Sequence, residues 1–306
     1  MAAPQRPWKS SQAPAIHGIA LRDVFRASQR LPAAVAPSPL LRAEWLDGAA
    51  GGAVWLKDET RGPTGAFKIR GATNAVASLD AAERERGVVT VSTGNHGRAV
   101  AHAAASLGVR AVVCLSGLVP EYRREAIRRL GAEVRVVGES QDEATEEAER
   151  LRNEGLTLIP PFDQPDVVAG QATIGLELAQ RLPGIGTVLV GLSGGGLAGG
   201  IALALKWIDP AVRVIGLSTD NGGAAMYESL RAGHPVSVPE PPSLADSLGG
   251  GIGLDNRWTF GLCRDLLDDV ILLSEGEIAA GMRALYREQR MIAEGSGAVG
   301  PAALLS

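Results

Sequence analysis

Apolar residues follow two rhythms along this chain. In Val88-Val89-Thr90-Val91-Ser92 they run unbroken, as in a strand buried on both faces. Elsewhere they recur every three or four residues, as on one face of a helix. The helical rhythm marks 19–31 first, through Leu21, Val24 and Phe25, and Pro32 closes it. Ser38-Pro39-Leu40 reads as extended, because the residue before a proline is driven out of the helical region. A strand at 54–57 leads to a helix carrying Lys68, Ala72, Ala75, Val76 and Leu79 and predicted to reach about Arg86. After Gly87 the units repeat: strand 88–92, helix 95–107, strand 110–115, helix 121–130, strand 133–137. Ser140-Gln141-Asp142-Glu143 is a capping box, and it opens a helix with Ala144, Ala148 and Leu151 on one side. The second half continues with helix 167–181, strand 188–190, helix 198–208, strand 212–217 and helix 223–231. A proline-rich loop at 235–242 interrupts the series before helix 258–267, strand 269–273, helix 275–290 and a last helix from Ser296. Ser274-Glu275-Gly276-Glu277 is a second capping box. Alternation of this kind predicts an α/β fold with parallel sheets and right-handed crossovers.

Composition narrows the function classes. A length of 306 residues allows two domains around substantial cores. The 30 basic and 34 acidic residues are interspersed and sum to −4, which offers no patch for nucleic acid or a membrane surface. No apolar run reaches the ~20 residues that a membrane span needs. Met1 to Ala15 is polar and lacks the apolar core of a secretory signal. Cys114 and Cys263 stand far apart and outside any CxxC, so buried thiols in a reducing cytoplasm are expected.

Three stretches carry candidate chemistry. Thr64-Gly65-Ala66-Phe67-Lys68-Ile69-Arg70-Gly71 follows a Gly/Pro turn and places Lys68 in the first turn of a helix between two apolar neighbours. Burial and a helix amino terminus both disfavour an ammonium, and a neutral amine is what Schiff-base chemistry requires. The plainer reading of the octapeptide alone is a solvated helix lysine. Gly191-Leu192-Ser193-Gly194-Gly195-Gly196-Leu197-Ala198-Gly199-Gly200 joins a strand to a helix. Glycines there admit close approach to a phosphate, and the helix end supplies free N–H groups. Without Gly-Lys-Ser/Thr it is not a nucleoside-triphosphate loop. Gly194-x-Gly196-x-x-Gly199, with Asp220 about 20 residues on, also satisfies the dinucleotide fingerprint. Close packing, a dinucleotide and a single phosphate all stay open on this stretch alone. Ser92-Thr93-Gly94-Asn95-His96-Gly97 opens a helix directly after the most apolar strand, where it is either ordinary capping or a carboxylate receptor.

Taken together, in this order, the three stretches resemble the fold-type II pyridoxal-phosphate enzymes, specifically the threonine dehydratase and serine racemase branch. The resemblance runs from about Ile19 to the end and includes Ser38-Pro39-Leu40, Ala169-Gly170-Gln171-Ala172-Thr173 and Glu294-Gly295-Ser296-Gly297-Ala298. The stretch Leu244 to Arg257 is most similar to the dehydratases of hydroxyectoine utilisation. The resemblance implies a two-domain, tryptophan synthase β-like architecture, with 87–164 as a small domain inserted into a large one of 1–86 plus 165–306. It implies that Lys68 carries pyridoxal 5'-phosphate as a Schiff base and then serves as the base. Ser193, Gly194, Gly195, Gly196 and Leu197 would hold the phosphate, Asn95 the ring hydroxyl, and Glu294 would lie near the ring. Ser92, Thr93, Gly94 and His96 would receive the carboxylate of an amino-acid substrate. The implied reaction is β-elimination of water from a 3-hydroxy amino acid by a cytoplasmic homodimer.

Several positions depart from the family pattern. Ser193 replaces a glycine of the phosphate loop, and Ser247 a glycine near the cofactor. Thr93 stands where racemases use serine, and Ala144 where they place an arginine. Ser218 and Ala224 replace acidic cation ligands, so no metal site is expected. The hydroxyl that would meet the ring nitrogen belongs to a Ser/Thr-Gly-Gly-Asn segment not found up to Ser306.

Overall fold

Both rhythms are realised in the computed structural model, which describes residues 15–92 and 94–306. The reading of the first fourteen residues and that of Thr93 lie outside the described residues. Helix α1, Leu21–Arg30, buries Val24 and Ala27, and the Asp23 carboxylate accepts the Ala20 N–H at 2.9 Å to close its first turn. Strands β1, Leu40–Arg42, and β2, Trp55–Lys57, pair antiparallel around the short α2, Asp47–Ala50.

The helix expected to continue to Arg86 is instead two helices. Helix α3, Lys68–Ser78, stops where Leu79 turns to ψ 139, and α4, Ala81–Arg86, starts afresh. The cause is a capping box: the Asp80 carboxylate accepts the Glu83 N–H at 2.8 Å, and Glu83 accepts the Asp80 N–H at 2.9 Å. Leu79 kept the apolar spacing going and masked the Asp-x-x-Glu signal.

The next strands are β3, Val88–Val91, β4, Ala111–Leu115, β5, Glu133–Val136, and β6, Thr157–Leu158. Helices α5, Asn95–Ser106, α6, Glu121–Arg128, and α7, Gln141–Asn153, connect the first three and lead to the fourth. The four strands form one parallel sheet in the order β5-β4-β3-β6. Sequence periodicity does not reveal β6, because two residues are too few to alternate. Tertiary bonds hold it, from Thr157 N–H to the Gly87 carbonyl at 3.0 Å and from Ile159 N–H to the Val89 carbonyl at 2.9 Å.

Helix α8, Pro165–Arg181, begins with a proline whose missing N–H costs nothing there. After it, strands β7, Thr187–Gly191, β8, Arg213–Thr219, and β9, Asp269–Leu273, make a second parallel sheet. Helices α9, Gly196–Ile208, α10, Ala225–Ala232, α11, Thr259–Leu266, α12, Glu275–Gln289, and α13, Gly295–Leu305, complete the chain.

Helix α3 is packed between α5 and α8. Ile69 and Val76 on it are almost fully buried, and each such side chain contributes about 1.5–3 kcal/mol of hydrophobic stabilisation. Against α8 the backbones touch: a Cβ built on Gly170 would lie 2.6 Å from Gly71 Cα. Lys68 therefore sits one turn from the closest helix contact that these glycines create. Among the described residues no helix is long and apolar enough to cross a membrane.

Candidate active site

Loops leaving the carboxyl ends of β3 and β7 converge with the amino end of α3, the usual location of ligands in open parallel sheets. Lys68 is the first residue of α3, and no side chain caps that end. Its Nζ donates to the Pro161 carbonyl at 2.8 Å and lies 5.3 Å from the centre of the Phe67 ring. Burial lowers the amine's pKa to about 8. An amine so placed is readily neutral at mild alkaline pH and aimed at a fixed point.

The segment 159–163 ties the parts together. Phe162 packs on the glycine turn so closely that a Cβ on Gly194 would lie 2.2 Å from Phe162 Cδ1. The carbonyl that receives Lys68 thus belongs to the residue beside the ring covering Gly194. Asp163 accepts the N–H groups of Arg257, Trp258 and Thr259 at 2.8 to 2.9 Å and so caps α11. Helix α11 in turn backs the turn from below: a Cβ on Gly195 would meet Cys263 Sγ at 2.8 Å and Met226 Cε at 2.7 Å. Gly195 also has φ +83, a left-handed conformation that glycine adopts without strain. Ser193 donates through its hydroxyl to the Gly249 carbonyl at 3.3 Å. Gly196 and Leu197 are the first residues of α9, where N–H groups have no intrahelical acceptor and the helix dipole favours an anion. Side chains at Gly194 to Gly196 would collide with Phe162, Met226 and Cys263, so the turn presents backbone, whose free N–H groups suit a phosphate.

The asparagine loop reaches the same place from the other sheet. Asn95 opens α5, and its Nδ2 donates to Glu294 Oε1 at 3.3 Å. Ser247 donates to the same oxygen at 3.2 Å. Gly94 N–H reaches the Ser92 hydroxyl at 3.3 Å. His96 is buried with Nε2 at 3.0 Å from the Ile159 carbonyl, which requires the proton on Nε2. Burial, with a smaller effect from Lys68, lowers its pKa to about 3, so the ring is neutral. What His96 offers an anion is therefore its backbone N–H rather than a charged imidazole. Its Nδ1, like Thr64 Oγ1 and Ser296 Oγ, is a buried polar atom without a hydrogen-bond partner among the described residues. Orphans of this sort beside a cradle free of side chains are what a polar cofactor would satisfy.

Sequence reasoning missed the 159–163 segment. Its one signal is Pro160-Pro161-Phe162 in a chain that has only 4 phenylalanines. It also passed over Ser247 as a contact of Glu294. Among the described residues no group of three or more His, Cys, Asp or Glu side chains could hold a metal ion.

Comparison with known proteins places the sequence and fold among characterised relatives. A family model described as "Pyridoxal-phosphate dependent enzyme" matches residues 31–306. A protein of Sinorhizobium fredii, provisionally named a threonine dehydratase, is 53% identical over 95% of this chain and 88% of its own. The catabolic L-threonine dehydratase of Escherichia coli K12 is 38% identical, over 94% of this chain and 87% of its own. The solved structure of maize serine racemase superposes with a TM-score of 0.87 at 33% identity, covering 96% of this chain and 87% of that one.

Proposed function

This chain belongs to the pyridoxal-phosphate dependent enzymes, and from that premise we propose that it is a lyase that removes water and then ammonia from a 3-hydroxy amino acid. Family membership sets aside the dinucleotide reading of Gly194 to Asp220. The observation that carries the proposal is the Lys68 amine. It is lowered to about 8, held on the Pro161 carbonyl, and lies across one dipeptide from the glycine turn.

Pyridoxal phosphate, when bound, supplies an electron sink for the charge left at Cα. The chain's own residues then have distinct tasks. Ser193 to Leu197 would hold the phosphate, and Lys68 would anchor the cofactor and serve as the base for the Cα proton. Asn95, steadied by Glu294, would donate its amide to the ring hydroxyl. Ser92, Thr93, Gly94 and His96 would receive the substrate carboxylate, the Ser92 hydroxyl and the free N–H groups at the start of α5 being suitable donors. The β-hydroxyl leaves as water, and the enamine released hydrolyses to a 2-oxo acid and ammonia.

The narrower substrate reading is a 3-hydroxy amino acid from hydroxyectoine breakdown, supported by the resemblance of 244–257 and by the hydroxyl of Ser247. Threonine or serine is the second reading, favoured by the names of the relatives. We read the enzyme as a cytoplasmic homodimer with its site between 87–164 and the rest of the chain. Purified protein loaded with pyridoxal phosphate is expected to be yellow and to release ammonia from at least one 3-hydroxy amino acid. A protein that stays colourless with excess cofactor would defeat the proposal.

A further inference from the structure

Because α3 starts without a cap, something else must hold the turn that carries Lys68. Two residues on, Arg70 is wholly enclosed, its side chain 0% exposed. Its Nε and Nη2 donate to Glu59 at 2.8 and 2.9 Å, and Nη2 also reaches Ser38 Oγ at 3.0 Å. Nη1 donates to Thr173 Oγ1 at 3.0 Å and to Glu177. Lys57 donates to Glu177 as well, so two cations and two carboxylates balance one another where only Arg70 is wholly shielded from water.

An enclosed ion cluster adds little net stability over an apolar core, since desolvation offsets the attraction. What it imposes is direction. A planar guanidinium bonded on several edges cannot turn without breaking several charged hydrogen bonds at once. Glu59 lies in the 3-10 turn Glu59–Arg61 before the lysine loop, and Glu177 lies on α8. Arg70 therefore fixes the rotation of α3 against both, while the Gly71–Gly170 contact fixes its distance from α8. Residues two apart on a helix point about 200° from each other. Any rotation that frees Arg70 swings Lys68 away from Pro161.

We propose that Arg70, gripped by Glu59 and Glu177, is the positioning residue for Lys68 and sets the depth at which its amine meets the Pro161 carbonyl. This rests on the reading of Lys68 as the cofactor lysine. The test uses pyridoxal phosphate with cyanoborohydride, which labels an unprotonated lysine within reach, and mass spectrometry of peptides to locate the label. In the unmutated protein Lys68 labelling is expected to have its pH midpoint near about 8. Glu59→Gln keeps the shape and removes one charge; Arg70→Lys keeps the charge and loses the fork. In both, the midpoint is expected to move up toward the 10.5 of a free lysine, because the amine swings toward water. Affinity for pyridoxal phosphate should weaken about 10-fold, the scale of one lost charged hydrogen bond. Should Arg70→Lys fail to fold, Glu59→Gln carries the test, its site being 18% exposed. A lower melting temperature with unmoved midpoint and affinity would reduce Arg70 to a structural ion pair and overturn the inference. If instead Lys68→Ala keeps the visible absorbance band of the loaded protein, the reading of Lys68 itself fails, independently of Arg70.

Discussion

Two regions meet at the site and are built on opposite terms. Lys68 is held by an enclosed network around Arg70, by touching helix backbones and by a 2.8 Å bond to Pro161. Asn95, Glu294 and Ser247 meet in the open through bonds of 3.2 to 3.3 Å between exposed or half-buried side chains. The first region tolerates almost no displacement, because moving it unpairs buried charges. The second exchanges protein partners for water or ligand at small expense. A lyase needs both: a base fixed in place, and a rim that can yield to a substrate.

Changes to the rigid region should have the largest effects. Lys68→Ala is expected to lower ammonia release by at least about 10⁴-fold, the upper range for a positioned acid–base group, measured with saturating cofactor. Gly195→Ala comes next, since φ +83 and the contacts with Met226 and Cys263 leave no room for a methyl group. It should cost about 1–3 kcal/mol in denaturant unfolding and weaken cofactor binding. Equal cofactor affinity in the variant would remove the glycine turn from the phosphate site.

Buried titrating groups sharpen the contrast through pH. The Lys68 amine is depressed to about 8 from 10.5, so between those values the unfolded chain holds more protons than the folded one. Stability of the cofactor-free protein should therefore rise with pH through that window. Lys68→Met should raise the melting temperature at neutral pH and lose that advantage above about pH 10.5. His96, lowered to about 3 from 6.5, behaves the same way in acid. Its contribution is intact above 6.5 and is lost as pH falls toward 3, so His96→Gln should flatten the melting curve there.

The smallest effect belongs to the open rim. Ser247→Gly removes one exposed hydroxyl from Glu294, worth about 0.5 kcal/mol, and should change relative rates among 3-hydroxy amino acids a few-fold with only a small drop in melting temperature. A drop comparable to that of Gly195→Ala would mean that the rim is as rigid as the lysine turn.

Much of this was legible in the residues themselves. Strand–helix alternation, the capping boxes at Ser140 and Ser274, and the three loops are all local patterns, set by side-chain periodicity and by where glycine or a cap must stand. The family resemblance, also carried by local motifs, suggests roles for Lys68, Asn95 and the glycine turn. Other features depend on partners far along the chain. Strand β6 exists only because Gly87 and Val89 lie beside it, and Pro161 matters only because α3 delivers an amine to its carbonyl. Arg70 reads in sequence as one more helix arginine; its enclosure by Glu59 and Glu177 requires α8 to fold back across 107 residues. Periodicity and backbone conformation are properties of neighbours, so the chain states them directly. Burial, pKa and the meeting of distant charges arise only from packing, and the tertiary structure alone decides them.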